Sequence, residues 1–361
     1  MQLWNIVLYY KLSNARARTN ILSERVLQME KGIDSESFKY WGELWFRKQQ
    51  LNFSRSYSLT AKNHLKNINR FIGTQPIGHI KPIDIDNIII EYAQKNPHTK
   101  RPTAKRTLKD MRNIAASVFD YAMENEIIEK NPARGRQIPK RAPQTHRRAL
   151  TRKEQIWIIK MPHRMRLGAL IMMFAGLRRG ELIPLTWNDI DFDNLTISVN
   201  KSVEKIGNNF VEKPGTKNSK TRIVNITLDL AIELLNAKKT AISKYVCCKI
   251  DGSMHTESSW KRAWQSFQCD LNATFGDFQD NSRSKYNPHG VPKMIEKITP
   301  HMLRHTYATL LYASGVDVLT ASKLLGHADI KTTLDIYTHL QEETMIRSVD
   351  KLDTYVSKLF K

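Results

Sequence analysis

Arg178 and Arg179 stand in AGLRRGEL, His301 and Arg304 in HMLRHTYAT, and His327 and Tyr337 in LLGHADIKTTLDIYTH. Between the first two motifs a basic stretch, TKNSK, offers Lys217 or Lys220. An arginine of the adjacent pair with Arg304, two histidines, a lysine and a tyrosine suit attack on a phosphodiester without a metal. Arginine clamps phosphate oxygens through a planar, permanently charged fork. Neutralising the phosphate is most of the catalytic task, because its charge repels nucleophiles. A tyrosine hydroxyl, with an ordinary pKa of about 10, attacks poorly until cations and a nearby base lower the barrier. A lysine beside the departing sugar oxygen supplies the proton that lets it leave. His301 and Arg304, three residues apart, share one face of a helix. Singly, each residue reads as a solvated charge or a packing side chain. Their order along the chain is what singles them out.

Other chemistries fit less well. DIDFDNLTISVN, from Asp189, resembles a calcium loop for its first five positions, but Asn194 takes the place of the required glycine and Asn200 that of the bidentate glutamate. HMLRH has the paired histidines of a zinc protease helix, with Met302 where the catalytic glutamate belongs. No GxxxxGK[ST] stretch occurs, so nothing points to nucleotide hydrolysis. A metal site built from His301, His305, His327 and His339 stays open as the minor alternative. No cofactor is expected.

Several elements must position these residues. IDSESFKYWGELWF reads as a helix start capped by Asp34 or Ser35, with Phe38, Trp41, Leu44 and Trp45 on one face. Helical spacing then joins Leu65, Ile68 and Ile72, and another helix begins near Pro82. The clearest pattern places Leu108, Met111, Ala115, Val118, Phe119 and Ala122 on one face. Its other face carries Lys105, Arg106, Lys109 and Arg112, candidates for DNA contact. The texture changes in NPARGRQIPKRAPQTHRRALTRKE, which contains three prolines and no acid between Lys130 and Glu154. It reads as a basic linker that does not pack, whose Arg134, Arg136, Lys140 and Arg141 can follow a phosphate backbone. Beyond it, LTISV, KSVEKI, NNFVEK and RIVNITL alternate as a small antiparallel sheet before helices return near Ala231.

At 361 residues the chain is long enough for two domains. Its 57 Lys and Arg outnumber 35 Asp and Glu, a net charge of +22 that attracts polyanions, nucleic acid first and an acidic membrane second. The cysteines, Cys247, Cys248 and Cys269, have neither zinc-site spacing nor the even count of a secreted disulfide framework. The longest apolar run, LGALIMMFAGL, is too short to cross a bilayer, and the start of the chain lacks a signal-peptide pattern. A cytoplasmic location is expected.

The four ordered motifs closely resemble the tyrosine recombinases, or phage integrase family, over most of residues 150–340. The resemblance implies a mainly α fold: a helical core-binding DNA domain, then an α+β catalytic domain with a small antiparallel sheet. The divisions expected are a basic arm-type segment (1–35), the core-binding domain (36–132), the linker (133–150), the catalytic domain (151–340) and a helical tail (341–361). It implies Arg178 as the first catalytic arginine, Glu181 as a supporting acid, and His301 and Arg304 as the central pair. His327 is implied as the following histidine and Tyr337 as the nucleophile. Lys217 matches the hairpin lysine, eight residues before a position where the family often has proline. Asn225 stands there, which leaves Lys220 as an alternative. The implied activity is site-specific strand exchange through a 3′-phosphotyrosine, integrating or excising a mobile element. Relaxation of DNA by the same chemistry, or DNA binding by a decayed site, are the alternatives, and the intact set argues against decay. Implied partners are double-stranded DNA, further copies of the chain in a tetramer joined by the tail, and host or accessory DNA-bending proteins, with no membrane.

Overall fold

The structure, a computed structural model, describes residues 36–144, 148–214, 221–276, 295–327 and 329–338. The expectations for residues 1–35, for Lys217 and Lys220, and for the tail lie outside these residues. The chain divides into two compact units, Met1–His146 and Arg147–Lys361, each with its own core.

In the first unit, α1 (Phe38–Gln50), α2 (Arg55–Ile72), α3 (Pro82–Gln94) and α4 (Lys105–Glu124) are the α-helices among the described residues. The six apolar residues read from the α4 pattern are all buried, joined by Ile114. Phe38 and Trp41 of α1 are fully buried too, the Phe38 ring 5.2 Å from that of Phe119. The cap of α1 is Ser37, later than expected. Its backbone is extended and bridges Pro76, so the helix starts where the chain leaves that bridge, and the Ser37 hydroxyl accepts the Tyr40 N–H at 3.3 Å.

The basic linker also differs from expectation. Its first part folds back onto the helices, with Ala133 and Ala142 in the core and Ile138 against it. The Asn131 amide donates to the Ala116 carbonyl at 2.8 Å and to Asp120 at 2.7 Å, while its oxygen accepts the Ala133 N–H. Two acids meet the charge: Arg134 pairs with Asp120 at 3.1 Å and Arg136 with Asp86 at 3.2 Å. Prolines lower the entropy lost on ordering such a segment, so a few apolar contacts suffice to hold it.

The second unit opens with α5 (Arg152–Lys160), whose Thr151 and Glu154 form a reciprocal capping box, followed by α6 (Arg166–Phe174), buried nearly throughout, and the one-turn α7 (Arg179–Leu182). The expected small sheet is two antiparallel sheets. β1 (Ile190–Asp191), β2 (Thr196–Val199) and β5 (Arg222–Asn225) form one in the order β1-β2-β5. β3 (Lys201–Ile206) and β4 (Asn209–Pro214) pair as a separate hairpin. The break falls at Asn200, where the Asn200 amide and the Lys201 ammonium both turn to Asp189, at 3.3 and 2.7 Å. The helices α8 (Leu228–Lys239), α9 (Glu257–Phe275), α10 (Pro300–Ala313) and α11 (Val318–Leu325) follow, and residues 331–338 form a further helix, α12.

Asn131→Ala is expected to destabilise the first unit by about 1–3 kcal/mol, the loss of its half-buried hydrogen bonds to Ala116, Asp120 and Ala133. Amide exchange along α4 measures it, and protection equal to that of the wild type would show that the Asn131 contacts do not hold the linker.

Candidate active site

Arg304 enters the site from α10 and is buried, 4% exposed. Its Nη1 donates to the Gly176 carbonyl at 2.6 Å, and its Nη2 to the Leu325 carbonyl. Gly176 has a left-handed backbone (φ +65°), and a Cβ there would stand 2.2 Å from the Tyr307 ring. Only glycine lets the chain pass that ring and turn its carbonyl to the arginine. Two residues on, Arg178 caps α7 with an extended backbone. Its backbone N–H and its Nη1 donate to the Glu181 carboxylate at 2.9 and 2.8 Å, and its Nη2 donates to the Gly326 carbonyl at 2.8 Å.

Glu181 is nearly sealed from solvent, and a second arginine shares it. Arg222 of β5 reaches its two oxygens with Nη1 and Nη2, at 2.9 and 2.7 Å, while its Nε donates to the Leu324 carbonyl at 3.2 Å. The last carbonyls of α11 and its cap, at Leu324, Leu325 and Gly326, therefore each accept from a different guanidinium. A helix leaves its final carbonyls unpaired and its C-terminus partly negative, so this end is a natural seat for cations. Gly326 ends α11 in the left-handed region (φ +61°), and a Cβ there would come within 2.9 Å of Arg222 Cδ.

Charge sets the ionisation of the cluster. Burial pushes the Glu181 carboxyl up, but the bonds and charge of Arg222, aided by Arg178, hold it down at about 2. Burial, with the like charge of Arg178, lowers Arg304 to about 9, so it stays a cation at neutral pH. Burial, then the charges of Arg304 and Arg178, lowers His327 to about 4, which leaves its imidazole neutral at pH 7. The Nδ1 of His327 lies 2.7 Å from the Thr333 hydroxyl on α12, which is fully buried. Thr306 and Thr309 give their hydroxyl protons to helix carbonyls four residues back. A neutral imidazole that accepts the Thr333 hydroxyl proton at Nδ1 carries its own proton on Nε2, where it can donate.

The structure thus brings Arg178, Glu181, Arg304 and His327 together. His301 is exposed one turn before Arg304 on α10, near enough for its charge to act on His327. Arg179 turns away to Glu257, at 3.5 Å, and to the face of Phe210. Tyr337, 6% exposed on α12, is held apart from the arginines' donors: its hydroxyl donates to the Val316 carbonyl at 3.1 Å, and its ring meets that of Tyr312 edge-on. Burial, then the Asp317 carboxylate and Tyr307, pushes its pKa up to about 12. Sequence reasoning missed Arg222, although a signal was there. Val224 and Ile226 face the core at period two, and the same period turns Arg222 inward.

In the first unit, Arg106 pairs with Asp110 at 3.4 Å, and Arg112 donates to the Arg136 carbonyl and to Asn113. Lys105 is half-buried, while Lys109, Lys140 and Arg141 are exposed. Among the described residues no group of three or more His, Cys, Asp or Glu is placed to hold a metal ion, and no helix is long and apolar enough to cross a membrane. The three cysteines are unpaired, and burial raises the Cys247 thiol to about 12.

Residues 148–344 match the phage integrase family and residues 38–138 the phage integrase central domain, so the chain belongs to the phage integrase family, the tyrosine recombinases. It is a DNA strand-exchange enzyme that carries out site-specific recombination. Among its relatives, a XerC-like tyrosine recombinase of Caldanaerobacter subterraneus is 29% identical over 312 residues, covering 81% of this chain and 75% of that protein. The ICEBs1 integrase of Bacillus subtilis is 30% identical over 255 residues, 68% of this chain and 65% of that one. In fold, the chain is similar to the Tn1549 transposon integrase in complex with transposon right end DNA, at a TM-score of 0.68 and 18% identity, with 87% of this chain and 99% of that one covered. A lambda integrase tetramer bound to a Holliday junction gives a TM-score of 0.58 at 17% identity, covering 81% and 78%.

Because the Glu181 carboxyl is depressed from an ordinary 4.5 to about 2, its ionised form stabilises the fold above about pH 4.5, and that stability is lost as pH falls towards 2. Glu181→Gln cannot titrate. The stability gap between wild type and variant, measured by chemical denaturation, is therefore expected to shrink steadily from pH 5 to pH 2; a constant gap would show that the carboxylate charge is not what the arginines use.

Proposed function

We propose that this recombinase cuts one strand of double-stranded DNA with Tyr337 as nucleophile, using residues of its own chain and no metal. The single observation that supports the reading most is the convergence of Arg178 and Arg304, with neutral His327 beside them, on one helix end. The outer edges of two guanidiniums and an imidazole Nε2–H suit the non-bridging oxygens of one phosphate. His301, at the exposed end of α10, adds a further donor. The phenolic oxygen of Tyr337 attacks phosphorus and passes its proton to solvent water as the bond forms. The bond from phosphorus to the 5′ oxygen breaks, and Lys217 gives that oxygen a proton. The products are a 3′-phosphotyrosyl link and a free 5′-hydroxyl, which attacks the corresponding link of a partner duplex, breaking its tyrosyl oxygen–phosphorus bond as the hydroxyl proton is lost and the tyrosine regains one. The phosphodiester's energy is kept in the link, so no nucleotide is consumed.

The hydroxyl of Tyr337 must leave the Val316 carbonyl before it attacks, since there it is buried and weakly acidic. Lys105, Arg106, Lys109 and Arg112 of α4, with Arg134, Arg136, Lys140 and Arg141 after it, are proposed to meet the phosphate backbone in the first unit. Exposed Lys109, Lys140 and Arg141 are the first to test. The substrate is a mobile element's end and its target, acted on in the cytoplasm. Residues 1–35 act as an arm-type segment, and four copies assemble on DNA through the tail, where Met345, Val349, Leu352, Val356 and Leu359 recur at helical spacing. Host or accessory DNA-bending proteins complete the assembly.

Tyr337→Phe removes one oxygen, so folding and DNA affinity are expected to persist while covalent adduct on a nicked suicide substrate disappears. An adduct formed by that variant would move the role to another tyrosine. Lys217→Ala is expected to slow cleavage by about 10²–10⁴-fold while sparing DNA binding, the range of a lost general acid. A substrate with a 5′-bridging sulfur, which needs little protonation to leave, should largely rescue it. Equal defects on both substrates would point to Lys220.

A further inference from the structure

The side chain of Arg222 is about as buried as that of a core residue, 10% exposed, and all three of its nitrogens are engaged inside the protein. Three of its N–H groups are spent on partners within the protein. Two nitrogens hold Glu181 and the third holds the Leu324 carbonyl, while its stem lies against Gly326. These contacts touch the surroundings of three of the proposed phosphate-binding groups, Arg178, Arg304 and His327. Glu181 is the carboxylate on Arg178, Leu325 and Gly326 carry the carbonyls that seat Arg304 and Arg178, and His327 is the next residue along.

The charge arrangement gives these contacts a purpose. Glu181 offers two carboxylate oxygens and Arg178 stands beside it. Were Arg178 its sole partner, the planar fork and the carboxylate would pair bidentately, the arrangement that guanidinium and carboxylate favour. Arg178 would then be neutralised in place and turned from the substrate. Arg222 instead spans both oxygens, so that Arg178 keeps a single side-chain bond to Oε1, its Nη2 on the Gly326 carbonyl, and its other N–H groups for use.

We infer that Arg222 is a positioning residue of the recombination reaction: it occupies Glu181 so that Arg178 stays oriented and charged for the scissile phosphate, and it fixes the end of α11 on which Arg304 and His327 are seated. The inference rests on the reading of the site as the centre of phosphotyrosine chemistry. Arg222 touches no reacting atom. Its loss is harmful because it leaves an uncompensated carboxylate free to capture the catalytic arginine.

The test compares the full-length protein with Arg222→Gln, Arg222→Lys and Arg222→Gln combined with Glu181→Gln, on duplex DNA for affinity and on a nicked suicide substrate for the rate of covalent adduct formation. Arg222→Gln is expected to bind DNA within about threefold of wild type and to form adduct at least about 10²-fold more slowly, the scale of losing preorganised charge at a phosphoryl-transfer site. Removing the carboxylate as well should recover at least about tenfold of that rate, because the orphaned charge is what does the damage. Loss of packing alone predicts the opposite: the double variant would be as slow as the single one, or slower. Arg222→Lys keeps a charge beside Glu181 and is expected to fall between, which gives a reading even where Arg222→Gln folds poorly. An unchanged rate in Arg222→Gln, or a double variant no faster than the single one, overturns the role of Arg222 and leaves the site's reading intact. Absence of adduct in the wild type itself overturns that reading, and this inference with it.

Discussion

Three guanidinium groups meet in one part of the second unit, and like charges drawn together out of water repel unless something negative stands among them. Here two things do. One is the carboxylate of Glu181, ionised and almost wholly enclosed; the other is the end of α11, whose carbonyls carry the partial negative charge of a helix terminus. Much of the local architecture follows from this meeting. Gly176 must turn left-handed to present its carbonyl past Tyr307, and Gly326 must do so to let Arg222 lie against the helix end. α7 need be only one turn long, since its task is to set Arg178 and Glu181 three residues apart with the acid facing back. The positive excess that remains after these pairings is what a phosphate would meet.

The order of the motifs was legible because each places a charged or aromatic residue at a fixed offset within a local helix or turn. Arg178 and Glu181, or His301 and Arg304, owe their proximity to helical spacing, which a sequence displays. The apolar faces of α1 and α4 were legible for the same reason. What was not legible depends on pairings distant in sequence. Ser37 caps α1 because Pro76 pairs with it, and no local pattern announces that bridge. The basic linker packs because Asp86 and Asp120, on other elements, neutralise its arginines. The sheet divides at Asn200 because Asp189 draws two neighbouring side chains. Arg222 lay between these cases. Its inward direction was readable from strand alternation, but its partner, 41 residues earlier in the chain, was not.

The two halves of the proposed chemistry stand in different states. The cations are hydrogen-bonded and enclosed by groups of the protein itself, as preorganised electrostatics requires. The tyrosine is paired with a carbonyl on the loop before α11, its acidity lowered by burial and by Asp317. α11 therefore has the arginines at its C-terminal end and the tyrosine's hydrogen-bond partner just before its N-terminus, about 12 Å apart for an eight-residue helix. One short, rigid element is in contact with both halves.

The paired phenol also bears on how such a protein searches a genome. A chain with a net charge of +22 is drawn to every stretch of duplex, and encounters with wrong sequence vastly outnumber those with the right one. A nucleophile poised beside three cations would nick wherever the protein paused. In the proposed chemistry, with the Tyr337 hydroxyl spent on Val316, the rate of accidental breaks would follow the rarity of its release and not the number of phosphates visited. Strong, indiscriminate attraction to DNA thereby becomes compatible with leaving most of it intact.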